Sequence, residues 1–410
     1  VFTRSVVSPE VAGRVTGKRG VHTIASFAAH DEVTSLLFPG SLGSEDTLLE
    51  QPNDVFVGRY NLSVAGTSSL GALLTARQGD GYRNIVGGLD TRWRINDNHE
   101  FIAQLLRSET EYPLDVALEF EQPQGEFAGD AFVLLHKFES RDWFASVLHW
   151  QVDDAFRADA GFMTQAGNAQ QEFSFGRKWH ADDGWWTRMR LRGAYEIKER
   201  ENGELLEDTY IVQFSVNGPW QSWLNVNMRA GRETDGAQMY DYERVNVSTR
   251  VQPVAGMIVG IHTQFGDEID FANSRLADQR RISPFLSWNV NRNLLLNLNG
   301  ARVELETRDG TSIFDASVVN AGLTWQFNVR SFLRFSMQQM DVERNPTEFV
   351  DDVDANSRDV GRQLLYSWKM NPQTVFFIGY SDAYVEDEDL DTLLASDSSL
   401  FMKIGYAWAL

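Results

Sequence analysis

The chain has no cysteine, little proline and no long apolar run. Without cysteine, neither a disulfide framework nor a thiolate metal site is possible. Ten prolines in 410 residues and the absence of a Pro/Gly/Ser-rich linker favour one large domain over several. The longest apolar stretch, Val254 to Ile261, is far shorter than the roughly 20 residues that a transmembrane helix needs. A helical membrane anchor is therefore excluded from the sequence.

The net charge and the mean hydropathy limit further which kinds of protein this chain can be. The formal net charge of −21 argues against nucleic acid as a partner, because a phosphate backbone is bound by cationic surfaces. The mean hydropathy of −0.34 is typical of soluble proteins, but membrane β-barrels also score this way because only alternate residues face lipid. Aromatic residues make up 12% of the chain, enough to supply the aromatic girdles of such a barrel.

Period-two alternation recurs along the chain and is the main evidence for its fold. Large apolar residues occupy one parity, and the other parity carries Asn, Gln, Ser, Gly and Arg rather than the Lys/Glu mixture of an ordinary solvent face. A sheet between lipid and a polar lumen requires this pattern. A soluble β-propeller is the strongest rival, since it also repeats short strands. The clearest segments are 210–217, 224–229, 245–252, 259–265, 323–328 and 363–369.

The links between these segments alternate in length. Short links occur at 217–220, 252–255, 291–293, 328–330 and 370–373, and long acidic links at 196–208, 233–243, 266–280, 303–315, 341–359 and 386–397. We predict an all-β protein, a transmembrane antiparallel up-and-down β-barrel of about 20 strands. Its periplasmic turns would be short and its extracellular loops long and acidic. Residues 1–20 would be a lead-in segment and residues 21–410 the barrel.

The last eight residues read as a closing barrel strand. Lys403, Gly405, Trp408 and Leu410 follow the pattern polar, glycine, aromatic, apolar, and we predict that they form the signature by which outer-membrane barrels are recognised for insertion. The expected location is the bacterial outer membrane. The expected partners are outer-membrane lipid and lipopolysaccharide and the barrel assembly machinery, with other envelope proteins as further candidates.

Both ends of the chain resemble one uncharacterised bacterial family. The segment Ala12 to Ala25, with its Ala-Gly-Arg-Val-Thr-Gly-Lys-Arg-Gly opening, looks like the barrel entry of that family, and the segment Leu400 to Tyr406 looks like its closing strand. In the family, a domain similar to carbohydrate-binding module family nine precedes an outer-membrane barrel. The resemblance implies the fold and the location. It implies no activity, because the family has none agreed.

Catalytic and metal-binding patterns are absent. The seven histidines show no H-x-x-x-H or H-E-x-x-H spacing, and there is no G-x-S-x-G elbow. We therefore expect no enzyme activity, no metal site and no cofactor. A hydrolase built from His149, Asp153 and Asp154 at the rim is the least favoured alternative. His149 and His262 are expected on the lumen face, with hydrogen bonds there.

Arginines dominate the charge on the expected lumen face. They either brace the wall by pairing with inward carboxylates such as Asp90 and Glu196, or form a track that passes anionic solutes. Both interpretations remain open. The arginines expected to line the lumen are Arg188, Arg190, Arg192, Arg229, Arg250 and Arg334.

The predicted function is porin-like passive or facilitated transport across the outer membrane. The alternative is a structural or docking barrel that anchors partner proteins in a larger envelope complex. A wide barrel needs something to narrow its pore, and the candidates are links 32–53 and 109–130. Their apolar residues are Leu36, Leu37, Phe38, Leu114, Val116, Leu118 and Phe120. The predicted aromatic girdle contains Trp325, Phe327, Tyr366, Trp368, Tyr406 and Trp408.

Overall fold

The computed structural model describes residues 5–64, 67–350, 352–371, 374–386 and 392–406. These residues form 23 β-strands, one short α-helix and one 3-10 turn. The strands are β1 (Pro9–Arg19), β2 (His22–Asp31), β3 (Thr34–Pro39), β4 (Ser44–Leu49), β5 (Asn53–Val64), β6 (Ser68–Gly79), β7 (Tyr82–Arg94), β8 (His99–Glu111), β9 (Phe127–Glu139), β10 (Trp143–Val152), β11 (Asn168–His180), β12 (Arg188–Arg200), β13 (Leu205–Asn217), β14 (Trp223–Thr234), β15 (Met239–Val254), β16 (Met257–Asp270), β17 (Arg275–Asn289), β18 (Leu294–Thr307), β19 (Ser312–Asn328), β20 (Ser331–Arg344), β21 (Asn356–Asn371), β22 (Thr374–Glu386) and β23 (Leu394–Tyr406). Helix α1 spans Leu114–Glu119, and the 3-10 turn spans Pro346–Glu348.

Twenty-one of these strands belong to one sheet, and β3 and β4 form a separate hairpin. Every strand pairing with a resolved register is antiparallel, from β1 with β2 to β22 with β23. Among the described residues, no helix is both long enough and apolar enough to cross a membrane. The all-β prediction is confirmed.

The strand number is higher than the predicted value of about 20. One reason lies at the start of the chain, where the expected lead-in segment, residues 1–20, carries strand β1. This strand pairs with β2 along almost its whole length, from Arg19 opposite His22 to Pro9 opposite Asp31. The first strand expected from the sequence, near residues 21–29, is therefore the second.

The prediction that the acidic links form long loops is also wrong for much of the chain. The strands continue into the acidic links and leave only tight connections at 201–204, 235–238, 271–274 and 308–311. The acidic residues of these links meet arginines: Arg232 pairs with Asp208 at 2.6 Å, and Arg308 pairs with Asp267 at 2.6 Å. These pairs offset part of the acidic charge and connect neighbouring hairpins. The connection 345–355 is longer, and part of the 387–393 connection lies outside the described residues.

The chain divides into two compact units. Unit 1 comprises Val1–Lys178, Arg192–Ile211 and Gly231–Met239, and unit 2 comprises Trp179–Leu191, Val212–Ala230 and Tyr240–Leu410. Each unit holds a part of the sheet whose two faces differ in chemistry, as the alternation predicts. We call these the apolar face and the polar face of each unit.

Candidate functional site: the two faces of the sheet

The apolar face of unit 1 is lined by large side chains in register. Tyr60 lies opposite Ala72, which lies opposite Leu89, and Leu89 lies opposite Leu105. Leu89 is 66% exposed and Leu105 59% exposed. Extended apolar surface of this kind marks a membrane or protein interface.

Unit 2 repeats this arrangement over six neighbouring strands. Leu296 of β18 begins one cross-strand row, which continues through Leu323, Phe335, Leu364, Tyr380 and Leu400. Leu400 is 74% exposed. A row of five large apolar residues and one tyrosine across six strands suits contact with hydrocarbon.

Aromatic residues flank the apolar faces near the tight turns. In unit 2, Trp325 and Phe327 lie on the apolar parity near the turn 329–330, and Tyr366 and Trp368 lie on it near the end of β21 at Asn371. This placement agrees with the predicted girdle. The side chain of Tyr406 and the whole of Trp408 fall outside the described residues.

Unit 1 has a similar aromatic group near turns 95–98 and 140–142. The Phe101 and His136 rings stack with centroids 4.4 Å apart, and Nδ1 of His99 lies 3.1 Å from Nε2 of His136. Rings with a polar atom suit the boundary between hydrocarbon and water.

Ion pairs cross-link the polar face of unit 1. Arg59 pairs with Asp90, with one of its two contacts at 2.7 Å. Arg92 pairs with Glu100 in the same way. Arg192, one of the predicted lumen arginines, pairs with Glu172, and both side chains are largely buried. These contacts support the bracing interpretation for this part of the wall.

Three links fold onto the polar face of unit 1, and we call them together the cap. The cap consists of the β3–β4 hairpin, the link 112–126 with helix α1, and the segment 153–167. Leu36 and Phe38 of the hairpin pack with Val116 of α1 against Tyr82 and Tyr112. The two links predicted to narrow the pore therefore do pack together. Of the apolar residues named for them, Leu114 and Leu118 are instead exposed, while the others are buried or half-buried.

The segment 153–167 was not predicted to take part. Its Phe156 is fully buried and packs with Val86 and Val152. The backbone of Phe156 lies directly on Gly129 of β9, where any added Cβ would collide with it. The signal for this packing was the loss of alternation between β10 and β11, in a run that still carries large apolar residues.

A buried carboxylate fastens the cap to the wall. Asp159 accepts hydrogen bonds from the hydroxyls of Tyr82 at 2.8 Å and of Tyr112 at 3.1 Å. Burial raises the pKa of Asp159, although both hydroxyls and two nearby guanidinium groups favour its charged form. Burial also raises the pKa of Tyr112 well above its ordinary value. Tyr112 therefore stays a neutral donor.

Arg77 of β6 completes this attachment. Its side chain is fully buried and donates to Oδ1 of Asn53 at 2.8 Å, to the carbonyl of Ser5 at 3.1 Å, and to the carbonyl of Ser35 in the hairpin. A buried guanidinium with these partners holds separate chain segments at fixed positions.

The polar face of unit 2 has a different composition. A hollow of about 520 Å³ lies against strands β18 to β22. Its lining is mainly amide, hydroxyl and glycine residues, among them Asn299, Asn320, Gln338 and Gly361. Further along this face, the hydroxyl of Ser248 lies 2.6 Å from Nδ1 of His262. The predicted hydrogen bonding of His262 is confirmed.

The other predicted lumen arginines lie on the parity assigned to them. Arg188 and Arg190 are exposed on β12 and alternate with Met189. The guanidinium carbon of Arg250 lies 6.0 Å from the centroid of the Trp223 ring, and that of Arg334 lies 5.3 Å from the Phe332 ring. Arg229 shares the parity of Trp223 on β14.

His149 was assigned to the wrong face. It pairs in register with Leu134 and Gln171 on the apolar face, and its ring lies 5.8 Å from that of Phe132. The alternation was read one residue out of phase at this strand. The Asp153 carboxylate accepts a hydrogen bond from the backbone N–H of Asp130, with 2.9 Å between Oδ2 and N. The hypothetical rim hydrolase therefore lacks the histidine assigned to it, because His149 lies on the apolar face.

Ligand-holding groups are few. Within the described ranges, no group of three or more His, Cys, Asp or Glu residues could hold a metal ion.

Of the predicted assembly signature, Lys403 and Gly405 lie on the polar parity of β23, and Trp408 and Leu410 lie outside the described residues.

Comparison with known proteins links this arrangement to outer-membrane barrels. No family model and no curated protein sequence matches the chain. Two solved structures of the FrpB iron transporter from Neisseria meningitidis, the F5-1 and F3-3 variants, are similar with TM-scores of 0.57 and 0.56. Their identities are 6% and 8%; each alignment covers 96% of this chain, and 79% and 78% of theirs.

OmpT, an outer membrane protein of Vibrio cholerae, aligns over 90% of this chain and 99% of its own at 12% identity, with a TM-score of only 0.37. The likeness to FrpB shows the fold and nothing finer. The chain therefore has the fold of bacterial outer-membrane β-barrel proteins, and the outer-membrane location predicted from its sequence is confirmed.

Proposed function

We propose that the sheet closes into a barrel in the outer membrane and that the protein transports small polar solutes passively or by facilitated diffusion. An open sheet edge in lipid would leave backbone N–H and C=O groups without partners, at a cost of several kcal/mol each. Closure satisfies them. The partners that this proposal requires are lipid and lipopolysaccharide around the apolar face and the assembly machinery that inserts the barrel.

The observation that carries the proposal is the uncovered polar face of unit 2. A docking barrel needs a stable wall, but it does not need a hollow of about 520 Å³ lined by amide and hydroxyl groups. Such groups exchange hydrogen bonds with water at little cost, so a polar solute can bind, move on and leave.

The cap of unit 1 supplies the restriction that a wide pore needs. Its attachment through Arg77 and Asp159 is buried and multiply hydrogen-bonded, which suits a fixed constriction rather than a mobile gate. In this mechanism the cap keeps solutes from the polar face of unit 1, and the polar face of unit 2 provides the path. No catalytic step is proposed.

FrpB is described as an iron transporter, which supports transport as the general class. Its substrate is not transferred to this chain at 6% identity.

Liposome swelling tests the proposal directly. Vesicles containing the refolded protein should swell in isotonic glucose faster than vesicles containing the same protein denatured before reconstitution. If glucose, a small anion and a small cation all fail to enter, transport is contradicted and the docking-barrel alternative is favoured.

A further inference from the structure

The strand register of unit 2 places uncharged polar side chains in two adjacent cross-strand rows, which we call the amide rows. The first row is Asn299, Asn320, Gln338 and Gly361. The second row is Asn297, Gly322, Ser336, Gln363 and Ser381. With strands about 4.8 Å apart, the longer row extends for about 20 Å.

Most of these amides are available to a ligand. Within the described residues, the side chains of Asn299, Asn320, Gln338 and Gln363 make no hydrogen bond to protein. An amide offers two N–H donors and a carbonyl acceptor, so each can receive and donate at once. Asn297 is partly used, because its Oδ1 accepts the hydroxyl of Ser287 at 2.8 Å.

Two glycines keep the space in front of the rows open. A Cβ added at Gly361 would meet no atom within 4 Å, and one added at Gly322 would come no closer than 3.9 Å to its neighbours. Neither glycine is needed for close packing. Their effect is to deepen the hollow between the amide side chains.

The neighbouring rows add an apolar surface and opposite charges. On one side, Phe401 lies beside Gly379 and Leu365 in register and is 38% exposed. That row also carries Arg334, and the row on the other side of the amides carries Asp359. The amide rows thus form an uncharged band between single charges of opposite sign.

We propose that the amide rows bind neutral, hydroxyl-rich solutes of the oligosaccharide class, an inference that rests on the proposed transport function. Each sugar hydroxyl both donates and accepts, which matches unpaired amides better than any charged group would. The apolar ring face of a sugar can cover Phe401. Within the rows themselves a charged solute would lose hydration without an unpaired charge to replace it, because Arg362 and Asp382 at the edge of the hollow already pair with each other.

Binding can be measured separately from transport. Equilibrium dialysis of labelled maltotriose against the folded, detergent-solubilised protein should show saturable binding. Asn320→Leu combined with Gln338→Leu removes two amides of the first row, at nearly constant volume. Two neutral hydrogen bonds correspond to a loss of about tenfold in affinity.

The chain offers a matched control on the same face of unit 2. Gln264 and Gln279 bond to each other, with Nε2 and Oε1 2.7 Å apart. Gln264→Leu with Gln279→Leu removes the same chemistry from groups that already satisfy each other, so maltotriose affinity should stay within about twofold. Heat-modifiable migration on gels verifies that each variant is folded.

A third variant keeps the test valid if the double leucine variant misfolds. Gly361→Phe fills the hollow in front of the amide rows. It should abolish maltotriose binding and slow the swelling of vesicles in maltotriose, while glycerol still enters. Absence of saturable binding in the wild-type protein, or an equal loss in the Gln264/Gln279 control, would overturn the proposal even if glucose swelling is positive. Saturable binding without any swelling would instead contradict the transport function and leave the site standing.

Discussion

The polar faces of the two units share one strand pattern but differ in how their side chains pair and in what covers them. In unit 1 the face is cross-linked by ion pairs such as Arg192 with Glu172 and covered by the cap, which is fastened through Arg77 and Asp159. In unit 2 the corresponding face carries unpaired amides, and none of the described residues forms a comparable cover over its hollow. Alternation alone specifies a polar face. Whether that face is braced and covered or open to solutes depends on what the links place upon it.

The largest expected effect comes from removing the guanidinium that fastens the cap. Arg77→Leu leaves Asn53 and several carbonyls without their donor, and removing one partner from a buried charged network costs about 3–5 kcal/mol. We expect the cap to become sensitive to limited proteolysis at 153–167. Arg250→Leu, which removes an exposed arginine from unit 2, is the control. Equal protease patterns in the two variants would contradict the role of Arg77.

The second prediction separates the faces of unit 2. Leu323 lies in the six-strand apolar row, and Thr324 faces the opposite way. Leu323→Arg should destabilise the inserted protein by about 2–4 kcal/mol, because arginine is costly against lipid. Thr324→Arg should insert normally. The readouts are outer-membrane yield and heat-modifiable migration, and equal yields of the two variants would disprove the assignment of faces.

The third prediction concerns the arginines of β12. Changing Arg188, Arg190 and Arg192 together to Gln removes the partner of Glu172, which is itself largely buried. If the arginines brace the wall, the melting temperature falls, by the equivalent of about 1–3 kcal/mol for the unpaired carboxylate. Anion-to-cation selectivity should change little. A large selectivity change with an unchanged melting curve would instead support a basic track for anions.

The smallest effect is the pH response of the cap. The pKa of Asp159 is raised, so the folded cap holds this proton more tightly than the unfolded chain does. Its contribution is complete below the ordinary carboxyl pKa of about 4 and is lost as the pH rises through the raised value. Hydrogen exchange of residues 153–167, corrected for intrinsic rates, should therefore speed up over this window. Asp159→Asn should remove the change, and an unaltered response in that variant would exclude Asp159 as its source.

The sequence predicted most of the sheet because strand faces are a local property. Alternation at 323–328 and 363–369 is enough to place Leu323, Trp325 and Tyr366 on the apolar face, since neighbouring side chains must point to opposite sides. The same reasoning failed at His149, where polar residues on both parities make the phase ambiguous. It also missed β1, whose two glycines and initial proline weaken the strand signal.

What the sequence could not predict depends on distant partners. The acidic links were read as loops because their arginine partners lie in other hairpins; Asp267 of β16, for example, meets Arg308 in the turn between β18 and β19. The packing of Phe156 onto Gly129 likewise joins residues that are far apart in sequence. The amide rows required the register of five strands, although every member is an ordinary polar residue or a glycine. Local patterns specify faces, and the contacts across strands specify the site.

The relation between cap and path is tested most directly by single-channel conductance in planar bilayers. Gly129→Val should push Phe156 off the wall and widen the restriction, because its side chain occupies the space of the Phe156 backbone. Gly87→Val, on the apolar face with no atom within 4 Å of its Cβ, is the control. If the cap restricts the pore, the wild-type protein and Gly87→Val give small conductance steps, and Gly129→Val gives clearly larger ones. Identical steps in all three proteins, or no steps in any of them, would contradict it.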